Sequence, residues 1–394
     1  MQPTRCLYDE KPYEVEFEAQ VLSCEKGEKG YQVILDQTQF FPEQGGQTPD
    51  QGSLHLKKPK TEENNVRVLD VQITDGIIIH TTDAPLEEES RVVGSVDWDY
   101  RFSNMQQHTG EHIFSGLVHE KYGYNNVGFH LSASVVTMDF DGTLDKTQVK
   151  ELERKANQVI YANLPVEVSY PTKEELAALE YRSKKELEGQ VRIVTIPGVD
   201  VCACCAPHVS HTGEIGQLKV MQLQNYKGGV RLSILCGYRA LEAFSEKKDT
   251  VEKMMHLLSS SEEDLESGIK RLQTENQETN YRLRKTMEQL LLCQVKGLDE
   301  TEENPILFVG DCDTKAMRDV VNEMVKTHPG YCGIFTGDDQ TGYRFIVGSA
   351  TKDCSQLATL MREQLGVRGG GGAQMIQGSA QVSRENLENF LSDL

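Results

Sequence analysis

Met105-Gln-Gln-His-Thr-Gly-Glu-His-Ile-Phe-Ser-Gly116 carries two histidines, His108 and His112, four residues apart. Apolar Ile113 and Leu117 follow and no proline interrupts the run, so the stretch reads as a helix. Residues four apart lie on one helical face, one turn apart, and two imidazoles so placed reach a single metal ion. A second pair with the same spacing, Cys204 and His208, lies in Val201-Cys-Ala-Cys-Cys-Ala-Pro-His-Val209. One such pair is ordinary on a helix; two pairs of suitable ligand type make a tetrahedral zinc set of His108, His112, Cys204 and His208. Cys202 and Cys205 crowd the same stretch, and Cys204 is chosen because it stands four residues from His208. The rest of the chain is then a means of bringing the two pairs together and presenting a substrate to them.

A chain of 394 residues is too long for one ordinary core and implies two or three domains. Its formal net charge of −20, from 41 basic and 61 acidic residues, argues against a general nucleic-acid coat protein and leaves room for a local basic patch. No basic segment followed by an apolar one opens the chain, and no apolar run approaches the length of a membrane span, so a cytoplasmic protein without membrane contact is expected. The ten cysteines are then metal ligands or core residues rather than disulfides.

The expected fold class is α+β. Residues 1–95 read as a small β-barrel, from alternating stretches such as Tyr13-Glu-Val-Glu-Phe-Glu-Ala-Gln-Val21 and Tyr31-Gln-Val-Ile-Leu-Asp36. Inside it, the Gly45-Gly46 pair permits positive φ and either turns a hairpin or lets a ligand approach the backbone closely. Lys57 to Asn65 is polar and reads as a surface loop. Residues 96–240 mix helices and strands as an α/β sandwich holding the histidine helix; Phe129 to Phe140 reads as a strand and Asp145 to Asn163 as a helix. Residues 241–296 read as a long helix or helical hairpin bent near Ser259-Ser260-Ser261, with a coiled-coil dimer as the alternative. Residues 297–394 read as a compact α/β unit ending in Arg368-Gly369-Gly370-Gly371-Gly372, which is either a flexible loop or a stretch whose N–H groups face a phosphate.

Four motifs in order resemble the alanyl-tRNA editing proteins, the free-standing relatives of the alanyl-tRNA synthetase editing domain, in their long form with a C-terminal DHHA1 domain. They are Phe40-Phe-Pro-Glu-Gln-Gly-Gly-Gln47, Gln107-His-Thr-Gly-Glu-His112, Cys204-Cys-Ala-Pro-His208 with Thr212-Gly-Glu-Ile-Gly216, and Arg368-Gly-Gly-Gly-Gly372 with Met375-Ile-Gln-Gly378. The chain departs from the family in Cys205-Ala206-Pro207, where Gly-Gly-Thr is usual, and in Arg368, where lysine is common. The ATP-dependent aminoacylation domain is missing, so activation of alanine is not expected.

The resemblance implies a zinc-containing deacylase that removes a wrong amino acid, chiefly serine and also glycine, from alanine tRNA in trans. Gly45, Gly46 and Gln47 would line the pocket, and Phe129 and His130 fall where the family places its amino-acid contact. Distinguishing serine from alanine needs a partner for the hydroxyl, because the smaller alanine cannot be excluded by size. The candidates are His130, Gln47 and Thr38. Arg368 and Gly369 to Gly372 would contact tRNA, and the helical and C-terminal segments could form a homodimer. Two rivals are a zinc peptidase, since His108-Thr-Gly-Glu-His112 fits His-x-x-Glu-His with Glu111 as general base, and a non-catalytic RNA-binding protein with structural zinc.

Overall fold

The computed structural model describes residues 2–57, 65–183, 190–299 and 301–394. Residues 58–64, most of the expected surface loop, lie outside that set. The chain divides into two compact units, residues 1–250 and 251–394.

In the first unit, six strands close into a barrel: β1 (Glu16–Gly27), β2 (Gly30–Leu35), β3 (Gly52–Leu56), β4 (Asn65–Thr74), β5 (Ile77–Thr82) and β6 (Arg91–Val96), in the order β1-β2-β5-β4-β3-β6. Alternation drives this: Phe17, Ala19 and Val21 point inward while Glu16, Glu18 and Gln20 stay exposed. Closure leaves no free edge in the sheet. The loop between β2 and β3 folds back so that Phe40 and Phe41 are fully buried among the barrel residues. Its tip is a tight turn in which Gln44 and Gln47 exchange backbone hydrogen bonds, with Gly45 and Gly46 at positive φ. A Cβ on Gly46 would fall 2.4 Å from the Phe129 carbonyl oxygen, so the turn requires glycine both for its φ and for close backbone approach.

Helix α1 (Trp98–Tyr122) starts at Asp97, whose side chain accepts from the Tyr100 N–H, and ends at Gly123 in the left-handed conformation. Every residue from Asn104 to Val118 is buried. The main elements that follow are β7 (Asn126–Leu131), β8 (Val136–Phe140), α2 (Lys146–Tyr161), β9 (Glu167–Ser169), β10 (Ile193–Ile196) and β11 (Asp200–Ala203), with a short helix at Lys173–Ala178. Two long strands, β12 (Leu218–Tyr226) and β13 (Gly229–Cys236), complete an antiparallel sheet of order β12-β13-β8-β7, while β9-β10-β11 forms a smaller one. The expected single strand over Phe129 to Phe140 is corrected to the hairpin β7–β8, because the Ser132 N–H bonds to the Val135 carbonyl and reverses the chain there. Gln107 locks α1 to β13, its amide donating to the Cys236 carbonyl and accepting from the Cys236 N–H.

The helical segment is α3 (Gly237–Leu258) and α4 (Leu265–Lys296), broken at Ser259, which has positive φ. In the second unit, β14 (Ile306–Val309), α5 (Thr314–Thr327), β15 (Cys332–Asp338), β16 (Gly342–Gly348), α6 (Cys354–Leu365), β17 (Arg368–Gly371), β18 (Met375–Ala380) and α7 (Arg384–Ser392) build one sheet of order β14-β15-β16-β18-β17. Phe335, Phe345 and Val347 pack with Leu357 and Met361 of α6 and Leu387 of α7; Ile334 and Ile346 pack with Met317 and Val320 of α5 and Leu291 of α4.

The glycine run is therefore not a loop. Residues 368–371 are an edge strand paired with β18. The glycines differ in what they carry. A Cβ on Gly371 would lie 2.2 Å from the Met375 carbonyl oxygen, whereas one on Gly370 meets nothing within 4 Å. Gly371→Ala should therefore destabilise the fold by about 1–3 kcal/mol through forced backbone movement, while Gly370→Ala stays close to the parent in thermal unfolding. Equal midpoints for the two variants would contradict this strand pairing.

Candidate metal centre

Four side chains from two segments meet beneath the barrel loop. His108 and His112 come from α1, and Cys204 and His208 from the turn after β11. Their ligand atoms all lie within 4.8 Å of one another. The Cys204 Sγ is 3.5 Å from His108 Nε2 and 3.3 Å from His208 Nε2. A tetrahedral zinc with bonds of ~2.0–2.3 Å would hold its donors roughly 3.3–3.8 Å apart, so the donor set fits such an ion.

Each imidazole has its other nitrogen fixed. The Gln47 carbonyl oxygen is 2.7 Å from His108 Nδ1 and can only accept, so Nδ1 carries the proton. The Thr109 hydroxyl gives its one proton to the Met105 carbonyl, 2.8 Å away, and so accepts from His208 Nδ1 at 3.0 Å. The Asp200 carboxylate stands 3.0 Å from His112 Nδ1 and is gripped by Arg182 at 2.7 and 2.9 Å. The Gln47 and Thr109 contacts leave a bare Nε2 on His108 and on His208 toward Cys204, the tautomer a metal requires, and the Asp200 carboxylate beside Nδ1 orients the third ring, that of His112.

Electrostatics separates the three thiols. Burial pushes Cys205 up to about 12, with the nearby Cys204 charge adding to it, and burial also raises Cys202. Burial opposes ionisation of Cys204 too, but the imidazoles gathered round its sulfur outweigh it and pull this thiol well below its ordinary range. Burial lowers His208 to about 3, which keeps it neutral. A second donor group, His112, Asp200 and Cys202, shares His112. Its carboxylate is already paired with the Arg182 guanidinium, a charge that disfavours a cation there; Asp200 serves to orient His112.

A cavity of about 800 Å³ opens on these donors, lined among others by Gly45, Gly46, Phe129, His108, Cys204 and Arg192. The Phe129 ring lies 4.8 Å from that of His108. Gln47, expected to line the pocket, is not among the lining residues: it is buried behind His108, and its Nε2 has no hydrogen-bond partner among the described residues. His130 is not brought to the cavity: strand alternation turns it from Phe129 to the exposed face of β7. Nor is Thr38, which is fully buried with its hydroxyl bonded to His80 Nε2 at 2.9 Å and to the Phe40 N–H at 3.0 Å. Glu111 is fully buried; its carboxylate accepts from Ser115 and Asn126, both at 2.6 Å, and comes within 3.9 Å of His112 Nε2. Arg368 and Gly369 to Gly372 belong to the second unit. Sequence reading missed Thr109, Asp200, Arg182 and Arg192, for which no spacing rule exists; Thr109 alone carried a signal, as the neighbour of a ligand.

Two known families match parts of the chain: tRNA synthetases class II (A) over residues 10–100, and the threonyl and alanyl tRNA synthetase second additional domain over residues 191–233. The chain is 27% identical to the alanyl-tRNA editing protein Aarsd1 of Danio rerio, covering 97% of this chain and 95% of that protein. It is 31% identical to the alanyl-tRNA editing protein AlaX-L of Pyrococcus horikoshii over 61% of this chain and 60% of the relative. It is 32% identical to an alanine–tRNA ligase of Ignicoccus hospitalis over 69% of this chain, and spans only 30% of that ligase.

Metal analysis of purified chain should find one zinc, lost in the His108→Ala, His208→Ala double variant and kept in Cys202→Ala and Cys205→Ala. Thr109→Val and Gln47→Leu, which remove only the outer hydrogen bonds, should weaken zinc about 10–100-fold in chelator competition. Unchanged zinc content in the double histidine variant would refute the site.

Proposed function

We propose that this chain, which is similar almost end to end to a named alanyl-tRNA editing protein, is itself a deacylase. Its substrate is the ester joining a wrong amino acid, chiefly serine and also glycine, to alanine tRNA, cleaved in trans. The observation that carries the reading is the convergence of three imidazoles, two of them fixed in tautomer, with one acidified thiol, of which His108, His112 and Cys204 line a cavity. Zinc bound there would supply a positive charge that orients the tRNA end or the substrate amine, or acidifies a water if one ligand exchanges.

The chain's own residues do the rest. Gly45 and Gly46 present bare backbone to the cavity, Phe129 gives it an apolar wall, and Arg192 places a cation at its edge for a phosphate or carboxyl oxygen. Arg192 is itself held by its bonds to the Cys204 and Ala206 carbonyls, at 2.8 and 2.9 Å. Of the three residues singled out for the serine hydroxyl, Gln47 is the one beside the donor set; it is buried behind His108, and its unpaired amide N–H is the candidate partner for a hydroxyl that reaches past that ring. Glu111 is assigned no catalytic step: it is fully buried, it is not among the residues lining the cavity, and its Oε1 is bonded to Ser115 and Asn126.

In this reading residues 1–95 and 96–240 form the site, 241–296 are a spacer, and 297–394 are a DHHA1-like tRNA-binding part that includes Arg368 and Gly369 to Gly372. Exposed Leu241, Phe244 and Leu257 on α3 and Leu272 and Leu283 on α4 suit a homodimer. No described helix is long and apolar enough to cross a membrane, and a translation-fidelity enzyme would work in the cytoplasm.

Purified chain should deacylate Ser-tRNA and spare Ala-tRNA. Gln47→Ala should lose roughly tenfold or more of that preference, about 1.4 kcal/mol, while His130→Ala retains it. No deacylation by the zinc-loaded parent chain would favour the non-catalytic RNA-binding reading, and equal rates on the two substrates would refute editing.

A further inference from the structure

The chain enters the barrel through a short parallel pairing, Arg5 with Gln37 and Cys6 with Thr38, and turns at once into the one-turn helix Leu7–Glu10. Tyr8 of that turn is buried, its ring perpendicular to that of Phe41 with 5.4 Å between centroids, so the turn is pinned to the barrel core. Pinning Tyr8 fixes the residue beside it. Asp9 lines the same cavity as His108, His112 and Cys204, and it is the one carboxylate among the described residues that do.

The Asp9 side chain is 31% exposed and accepts no hydrogen bond among the described residues. Its ion-pair partner is Arg192, whose Nε stands 3.7 Å from Oδ1, too far for a hydrogen bond. That Nε is itself buried without a hydrogen-bond partner, while Nη1 is spent on the Cys204 and Ala206 carbonyls. The arginine thus balances the charge of Asp9 without using its lone pairs. A carboxylate largely withdrawn from water has lost hydration that only a donor can return.

The proposed substrate brings such a donor. An aminoacyl ester carries its amine free on the carbon next to the scissile carbonyl, and an ammonium has three donors and no lone pair. Without a lone pair it is no metal ligand, whereas an ionised carboxylate only accepts and has room for several bonds. The imidazole–thiol donor set and Asp9 therefore address different parts of one molecule. The amine is also the group that separates an aminoacyl ester from an N-acylated one such as peptidyl-tRNA, in which it is an uncharged amide.

We propose that Asp9 anchors the α-ammonium of the aminoacyl ester, and that through it the site takes esters with a free amine and passes over those whose amine is acylated. The inference rests on the deacylase reading for the identity of the substrate. It gives Asp9 no part in choosing serine over alanine, because both carry the same amine.

The test is isothermal titration of the full chain, loaded with zinc, with two analogues of the charged adenosine end. One is adenosine whose ribose carries serine through an amide in place of the ester. The other has the same shape but a hydroxyl where the first has its ammonium. The parent should bind the ammonium form roughly ten- to hundredfold more tightly, the range for a hydrogen bond to a charged group, and this comparison needs no variant. Asp9→Asn should lose the preference by weakening the ammonium form alone. Zinc content and thermal midpoint equal to the parent's would show that the variant folds. The parent should also hydrolyse N-acetyl-Ser-tRNA roughly tenfold or more slower than Ser-tRNA. A parent that binds the two analogues alike, or cleaves the two esters at equal rates, would overturn the proposal. So would an Asp9→Asn variant that weakens both analogues equally, because the residue would then only prop Arg192. A parent that deacylates Ser-tRNA without an ammonium preference would sink this inference and leave the deacylase reading. An Asp9-dependent preference in a chain that hydrolyses neither ester would uphold the ammonium site and sink the deacylase reading.

Discussion

Arg101 is a charged side chain with no solvent exposure, and the first unit is assembled around it. It lies in the first turn of α1 and bonds Asp50, also fully buried, through Nε at 2.9–3.0 Å and through Nη2. Two further protons go to the Pro12 carbonyl at 3.0 Å and the Gln39 carbonyl at 2.5 Å. Asp50 in turn accepts from the Phe41 N–H at 2.6 Å and closes the loop that carries Gly45, Gly46 and Gln47. One ion pair thus ties the barrel loop to the start of the histidine helix. Breaking a buried pair on one side only costs about 3–5 kcal/mol, because the partner charge is left without compensation. The loop and the helix are therefore held in one fixed relation, and that relation brings Gln47 to His108.

The site follows from this clamp. A helix buried on every side would ordinarily be apolar, yet α1 buries Gln106, Gln107, His108, Thr109, Glu111, His112 and Ser115. Those groups are expensive to bury unless paired, and nearly every one has a specific partner: Cys236 for Gln107, Gln47 for His108, Asp200 for His112, Asn126 for Glu111. The pairing fixes rotamers and tautomers together, so the metal donors are pre-set before any ion arrives. The unit that spends this much polar burial on one helix gains a rigid donor set.

Much of this was legible in the sequence. The i, i+4 pairs placed four ligand candidates that the fold does bring together, and alternation in stretches such as Phe17, Ala19 and Val21 foretold the barrel. The parts that were not legible depend on contacts far apart in the chain. Asp50 and Arg101 stand 51 residues apart, and no spacing rule pairs them. Thr109 and Asp200 act only through the histidines they touch. His130 illustrates a different limit: a strand residue one position from Phe129 faces the other way, and a motif match does not fix the face. The glycine run misled in the same manner, since four glycines in a row suggest a loop, while here alternate ones are demanded by strand pairing.

The central claim is that one metal sits on three Nε2 atoms and one sulfur. Zinc K-edge X-ray absorption on the purified chain tests it most directly. The account predicts a shell of three nitrogen scatterers at about 2.0–2.1 Å and a single sulfur at about 2.3 Å, unchanged in the Cys202→Ala, Cys205→Ala variant. Two or more sulfurs in the parent spectrum, falling to one in that variant, would contradict it.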